Sequence, residues 1–370
     1  MRNIARFKII KPLLLLPIGV VIFYLSSFVP DTVEKIYSQG IYRIIGQGLS
    51  IVTGVLPFSA AELVIVVISG YVIYRLFLVV YSFIKKGRSG KQSLLTFIRD
   101  LVIVVSVIYF AFVLLWGLNY QRNPFPQIAS YNTGSVTVEE LADVCEDLIK
   151  RSNELRDKVN EDGYGVMKLS GTRSVALKNA GEGYNEIAKK YPQLGGKYGR
   201  AKRVLSSRAL SFLGLGGFYF PYTGEANVNM DMPDTSIPFT ICHEMAHQRG
   251  FAREDEANFI GFLTCISNPD TEFKYSGYLN ALVYAMNALY EHDKGRFSEL
   301  RKMYGKGLIR DFNARKVYWQ SYEGTLDRVS SSVNNVYLKA NMQEEGVLSY
   351  GRMVDLLIYK YRTEKSEKNK

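Results

Sequence analysis

The stretch PFTICHEMAHQRGFAREDEAN, residues 238–258, decides the fold of the second half of the chain. Its beginning predicts a helix, because proline suits a first helical turn and Thr235 or Ser236 stands where it can cap that turn. Gly250 suits the end of the helix and can reverse the chain. We therefore expect a second helix that starts near Glu254 and returns past the first one.

Two histidines of this stretch are spaced for one metal ion. His243 and His247 stand four residues apart, so on a helix both imidazoles lie on one face, about a turn from each other. Glu244 lies beside them, where its carboxylate can take a proton from a water that the metal activates. The chain has only three histidines, and the third, His292, lies among acids at a predicted helix end, where a surface position is expected. The alternative is an amphipathic helix whose histidines are merely exposed.

A zinc site needs a third protein ligand and an open position for water. Glu254 and Asn258 are four residues apart and share one face of the second helix. Glu256 points roughly the opposite way, because two residues turn a helix by about 200°. The spacing favours Glu254 as the third ligand. Glu256 stays open as the alternative, since the start of a helix can shift.

The stretch 243–258 resembles the zincin superfamily and, within it, the gluzincins, whose third ligand is the Glu of an ExxxD-type second helix. Glu254-Asp-Glu-Ala-Asn258 matches that pattern with Asn in place of Asp. The resemblance implies a helical zinc peptidase domain in which Asn258 hydrogen-bonds a zinc-ligating histidine. The short turn at Gly250 is also similar to that of metzincins, although Arg253 stands where their third histidine would be. The whole chain resembles a bacterial family of multipass membrane proteins that bear this motif and have no known substrate.

The residues around the motif predict one β-hairpin and several helices. Segments 216–220 and 225–229 favour strands, separated by a proline–glycine turn. In zincins a sheet edge near the metal helix pairs with substrate, so either strand is a candidate, and a purely structural hairpin is the alternative. Tyr337 and Tyr350 are candidates to border the cleft and donate to an oxyanion, while ordinary buried tyrosines are the alternative. Helices are expected over 138–159, 172–191, 201–213, 238–249, 254–267, 271–292, 296–304, 310–342 and 350–361.

Three apolar runs precede this domain, at residues 13–29, 63–84 and 101–120. Each approaches the roughly 20 residues with which a helix crosses a bilayer. Arg75 interrupts the second run and is expected to reach the headgroups. Residues 31–60 predict a short amphipathic segment on the outer surface, with no chemistry of its own. The predicted organisation is a membrane domain at 1–118, a linker at 119–126, a zinc domain at 127–362 and a charged tail at 363–370.

The formal charge of +11 does not indicate a nucleic-acid partner. The positive residues cluster before the first apolar run, between the second and third runs, and in the C-terminal tail. The first two clusters flank apolar runs, and such clusters mark the cytoplasmic ends of membrane spans. We therefore expect a cell-membrane protein with a cytoplasmic N-terminus and an extracytoplasmic zinc domain. Were the first run a cleaved signal peptide, that domain would lie on the same side.

Together these patterns predict a mainly α protein, with three N-terminal transmembrane helices followed by a helical zincin-like domain that contains a small β-hairpin. The predicted function is a membrane-anchored zinc-dependent peptidase with Zn²⁺ as cofactor, Glu244 as general base, and a peptide or protein as substrate. The alternative is a non-catalytic membrane protein whose structural or vestigial zinc site serves partner binding. A closed fourth ligand would favour that alternative.

Overall fold

The computed structural model describes residues 11–86, 88–131, 133–341 and 350–368, and most of them are helical. The helices are α1 Leu15–Ser26, α2 Pro30–Gly54, α3 Ala60–Lys86, α4 Arg88–Leu115, α5 Phe125–Ile128, α6 Val138–Arg156, α7 Arg173–Ile187, α8 Ser207–Phe212, α9 Ile237–Gln248, α10 Glu254–Ser267, α11 Thr271–His292, α12 Lys294–Arg301, α13 Lys306–Gln320, α14 Thr325–Ala340 and α15 Tyr350–Lys368. The strands are β1 Lys202–Arg203, β2 Gly217–Phe220 and β3 Glu225–Val228. The fold is therefore mainly α with one small sheet.

Two helices, α3 and α4, are long and apolar enough to cross a membrane. The predicted first span is divided: α1 has 12 residues, and the chain bends by 103° into α2. A 12-residue helix covers about 18 Å, well short of a bilayer core of about 30 Å. The bend falls before Pro30, because a proline disfavours helical geometry in the residue that precedes it. The membrane part thus has two spanning candidates, or three if the bent pair counts as one.

The charge inside the second apolar run is paired. Arg75 on α3 lies 3.0 Å from a carboxylate oxygen of Asp100 on α4. An ion pair between neighbouring helices is a common way to accommodate charge near a bilayer. Arg75 therefore joins the two helices, whereas its position in the sequence suggested only contact with headgroups.

The helical domain is built around α9, α10 and α11, which pack on one another and on α6, α7 and α15. The side chains that fill this core come from successive turns of all three helices: Ile241, Ala246, Phe259, Ile260, Leu279 and Leu282, all fully buried. The predicted bounds of α10 and α11 are confirmed to the residue. These helices are buried on most faces, so apolar residues are found nearly all round them. Close packing by their neighbours holds the site in place.

The sheet contains one strand more than the sequence predicts. β2 and β3 form the expected antiparallel hairpin, but β1 pairs with β3 in parallel, giving the order β1-β3-β2. The predicted helix 201–213 is therefore wrong at its start, because Lys202 and Arg203 pair with Asn227 and Val228. Among the described residues β2 has no strand on its other side, which leaves it as an edge.

Two further predictions are corrected by packing. The single helix expected over 310–342 is two helices, α13 and α14, separated at Gly324, a residue of poor helix propensity. The segment 119–126, for which the sequence predicts a linker, is largely buried: Asn119, Tyr120, Arg122 and Phe125 are each at most 3% exposed. The membrane part and the domain are therefore joined by a packed interface.

Candidate metal centre

The turn between α9 and α10 brings the candidate ligands together. Gly250 has a φ of +82°, a left-handed conformation that favours glycine. A side chain there would also meet the ring of Tyr42 at 2.8 Å. Farther along α10, a Cβ on Gly261 would lie 3.2 Å from the backbone nitrogen of His243. Two glycines thus allow the close approach of the two helices.

His243, His247 and Glu254 converge on one point. The two histidine Nε2 atoms lie 3.1 Å apart. The carboxylate oxygens of Glu254 lie 3.3 Å from Nε2 of His243 and 3.5 Å from Nε2 of His247. One ligand atom from each residue falls within 4.8 Å of the others, so the three residues can hold a metal ion.

The surroundings orient His247 for ligation. Its Nδ1 lies 2.8 Å from the carbonyl oxygen of Phe251. In a neutral imidazole this bond places the proton on Nδ1 and leaves the Nε2 lone pair directed at the cluster. Nδ1 of His243 has no hydrogen-bond partner among the described residues.

Glu244 lies against the first residue of β2. Its side chain is 4% exposed, and its Oε2 has no hydrogen-bond partner among the described residues. A Cβ on Gly217 would come within 2.7 Å of Oε1, so a larger residue at that strand position would displace the carboxylate. Burial raises the pKa of Glu244 to about 7, against the opposing effect of both histidines. A buried carboxylate with a free oxygen beside a possible metal site has the properties of a general base.

The residues of the cluster shift one another's pKa values. Burial by itself lowers the pKa of His247, but the Glu254 carboxylate outweighs it and raises that pKa to about 9. Burial likewise opposes the charged form of Glu254, and His247 and His243 nevertheless keep its pKa below the ordinary value.

Glu256 and Asn258, the other two candidates on α10, are not part of the cluster. Glu256 is outside the cluster: its Oε1 accepts from the backbone N–H of Phe125 and from Arg253. The expected hydrogen bond from Asn258 to a histidine is not formed in the described structure. Instead Tyr284 donates to Asn258 Oδ1 at 3.4 Å, because the amide faces α11.

The three other residues considered in the sequence, two tyrosines and a histidine, have different positions. Tyr337 lines the same cleft as the cluster, where it accepts a hydrogen bond from Tyr120 at 3.2 Å. Tyr350 begins α15, and its side chain lies outside the described residues. His292 is exposed at the end of α11.

The cleft in front of the cluster has a volume of about 400 Å³. One wall is the edge strand β2 with the glycine-rich segment before it, and another consists of α13 and α14. Residues from the membrane-side part of the chain complete it. The side chains that line it around the cluster include Trp116, Tyr120, Phe218, Asn280, Tyr284 and Arg315.

Segments before the domain hold the turn that follows the two histidines. The hydroxyl of Tyr42 donates to the carbonyl oxygen of Gln248 at 2.9 Å, and the indole of Trp116 donates to that of His247 at 3.2 Å. Arg122 donates to the carbonyl oxygen of Gly250 at 2.9 Å. The carbonyls of His247 and Gln248 lie at the end of α9, where backbone acceptors lack a full set of helical partners, and that of His247 also accepts from the backbone N–H of Gly250. We call residues 30–54 and 116–122 the support segment.

Little in the sequence indicates this support. Trp116, Tyr42 and Arg122 lie 131, 206 and 128 positions before their acceptors. The available signal was a run of aromatic and polar residues within or beside apolar stretches, such as Trp116-Gly-Leu-Asn-Tyr120. Tyrosine and tryptophan at such places usually seek a polar partner.

The fold and the site together define a helical membrane-type protein with a possible metal centre at the junction of its two parts. The chain belongs to the family described as Protein of unknown function (DUF3810), whose model matches residues 37–358. No curated protein and no solved structure matches it. The matched region begins within α2 and ends within α15, so it covers the support segment from residue 37 onward and the whole candidate metal centre.

Proposed function

We propose that this protein is a membrane-anchored zinc-dependent peptidase of the gluzincin type. The observation that supports it most is the convergence of His243, His247 and Glu254, with the buried carboxylate of Glu244 beside them. Two imidazoles and one carboxylate are a common ligand set of catalytic zinc, as in other HExxH peptidases. The hydrogen bond of His247 Nδ1 to a backbone carbonyl is the contact that such sites use to orient a ligand.

The edge strand β2 supports a peptide as substrate. Its backbone lines the cleft on the side where Glu244 lies, and among the described residues it has no strand partner there. An extended peptide can add to such an edge through main-chain hydrogen bonds. That placement would present a substrate carbonyl to the metal centre.

The mechanism assigns a role to each residue at the site. Zinc, when bound, supplies a Lewis acid that polarises the scissile carbonyl and acidifies water to a pKa of about 7. Glu244 accepts the proton from the attacking water and delivers it to the nitrogen of the leaving amine as the C–N bond breaks. His243, His247 and Glu254 hold the metal. Tyr337, on the opposite wall, is positioned to donate to the oxygen that gains charge.

A structural or vestigial zinc site in a partner-binding protein is the competing proposal. Structural zinc is closed by four protein ligands. Within the described residues the cluster has three members, and it faces a cleft rather than a filled core. The arrangement therefore favours the enzyme.

We place the cleft outside the cytoplasm. Lys85 lies in the last turn of α3, and Arg88 and Lys91 lie in the first turn of α4. Such basic junctions between two spans stay in the cytoplasm. The segment after α4 then lies on the outer side, whether or not the bent pair α1–α2 spans the membrane. If that pair does span it, the basic N-terminus is cytoplasmic as well.

The test uses the full chain in detergent, with zinc content measured by mass spectrometry and cleavage measured on a peptide library. We expect Glu244→Gln to keep zinc and to lose roughly 10²- to 10⁴-fold in activity, because the proton acceptor is removed. His243→Ala is expected to lose both zinc and activity. Proteins trapped by the Glu244→Gln variant would identify the substrate class.

His292→Ala is the matched control, because this histidine is exposed and outside the cluster. It should leave zinc content and cleavage unchanged. Chelator-sensitive cleavage that persists at the wild-type rate in Glu244→Gln would contradict the proposal.

A further inference from the structure

A guanidinium lines the cleft without forming an ion pair among the described residues. Arg315, on α13, borders the same cavity as His243 and Glu254. Its Nη2 donates to the side-chain oxygen of Asn280 at 2.9 Å. Its Nη1 is buried and has no hydrogen-bond partner among the described residues.

The acid closest to Arg315 along its helix is already engaged. Asp311 stands one turn earlier and is fully buried. Its carboxylate accepts from the guanidinium of Arg156, the hydroxyl of Tyr275 and the backbone N–H of Met167. Asp311 therefore forms its own buried network, and the described structure gives Arg315 no ion pair.

Arg315 is half-buried, and its buried Nη1 lacks a partner in the described structure, so its charge costs free energy unless a ligand compensates it. Burial lowers the pKa of Arg315, but a guanidinium stays protonated at neutral pH. A buried charged donor without a partner destabilises a fold by more than one left in water. A neutral side chain could hold Asn280 equally well, so packing alone does not account for the charge.

The neighbours of Arg315 connect it to the metal centre along one wall. Asn258 lies one turn after Glu254, and Tyr284 donates to its amide oxygen. Tyr284 and Asn280, one turn apart on α11, both line the cleft. A ligand that extends from the metal centre along this wall meets the guanidinium next.

We propose that Arg315 binds a carboxylate of the peptide substrate, and this inference rests on the peptidase function proposed above. A guanidinium presents two parallel N–H donors that match the two oxygens of a carboxylate. The carboxylate comes either from a free C-terminus, which would make the enzyme cleave near peptide ends, or from an acidic side chain. Both sources offer the same chemistry to Arg315.

The test measures peptide binding to the full-length Glu244→Gln protein in detergent, so that cleavage does not interfere. The probes are N-acetyl-Ala-Ala-Ala with a free carboxylate, the same peptide as its amide, and N-acetyl-Ala-Glu-Ala amide. We expect one of the two carboxylate peptides to bind about 10- to 100-fold more tightly than the neutral amide. Which of them does so distinguishes a free C-terminus from an acidic side chain.

Two variants of Arg315 decide the assignment. Adding Arg315→Gln should abolish the preference for carboxylate peptides. Arg315→Lys should keep part of that preference, because the positive charge remains but the two parallel N–H donors are lost. Arg328→Gln, which changes an exposed arginine of α14 outside the cleft, should leave the preference intact. A preference that survives Arg315→Gln, equal binding of all three peptides, or no binding of any would overturn the proposal.

Zinc content and cleavage, measured in parallel on the wild-type chain, separate the two proposals. A chain that holds zinc and cleaves peptides without any carboxylate preference contradicts the Arg315 site alone. A chain that prefers carboxylate peptides through Arg315 but neither holds zinc nor cleaves them contradicts the peptidase function alone.

Discussion

The helix pair α9–α10 and the support segment contribute to the same site in different ways. The helix pair supplies the three candidate ligands and Glu244 within 12 positions of the chain. The support segment supplies none of them, yet it hydrogen-bonds the backbone carbonyls of His247, Gln248 and Gly250. Spacing within the helix pair therefore brings the candidate ligands to one place, and distant residues hold the turn that orients them.

The support segment also bears on the boundary between the membrane part and the helical domain. Arg122 is 1% exposed and forms two hydrogen bonds of 2.8 Å with the carboxylate of Glu34. Its guanidinium lies 3.9 Å above the ring of Phe251, the residue whose carbonyl orients His247. A domain cut at residue 119 would lose Glu34, Tyr42 and Trp116. The membrane-side part is therefore a structural component of the metal centre.

The variant Arg122→Met tests most strongly whether the candidate metal centre depends on the support segment. Removing the guanidinium leaves the buried Glu34 carboxylate without its cation and with the Gln39 amide as its remaining donor, so the free energy of unfolding should fall by about 3–5 kcal/mol. Thermal unfolding of the full chain in detergent, with zinc content recorded on the same samples, measures the loss. The double variant Glu34→Leu/Arg122→Met removes both charges and should recover most of it. A single variant as stable as the wild type would show that the support segment is not needed.

Gly261→Ala tests the helix pair itself. The added Cβ would lie 3.2 Å from the backbone nitrogen of His243 and 3.3 Å from its Cα, so the two helices must separate slightly. We expect a loss of about 1–3 kcal/mol in unfolding free energy, with weaker zinc binding. Gly181→Ala is the control, because its Cβ meets nothing within 4 Å and should stabilise α7 by about 0.5–1 kcal/mol. Equal effects at both positions would mean that the close approach at Gly261 is unimportant.

Tyr42→Phe gives the smallest expected effect. It deletes the hydroxyl that donates to the carbonyl of Gln248 and lies 3.1 Å from the hydroxyl of Tyr219. The loss of unfolding free energy should be about 0.5–1.5 kcal/mol, as for one hydrogen bond. Zinc affinity, measured by competition with a chelator, should fall by less than about tenfold. Tyr164→Phe, at an exposed position, should change neither quantity.

Much of the helical fold could be predicted from the sequence, because periodic apolar positions and capping residues act locally. The bounds of α10 and α11 follow from acidic first turns and apolar repeats, and the hairpin follows from its proline–glycine turn. β1 could not be predicted, since its two residues are extended only through pairing with β3. Likewise, nothing local shows that Glu34 and Arg122 meet across 88 positions.

For the candidate site, the sequence alone determined that His243 and His247 could share one ion and favoured Glu254 over Glu256 as the third ligand, because helical geometry and a glycine turn set their directions. Only the tertiary structure decided that Glu256 is engaged with Arg253 and the Phe125 backbone, and that Asn258 faces Tyr284. It also placed Arg315 at the cleft, with no partner for its Nη1 in the described part of the chain. The physical reason is one of range. Backbone geometry acts over a few residues, whereas burial and partner choice depend on which distant segments the packed core brings together.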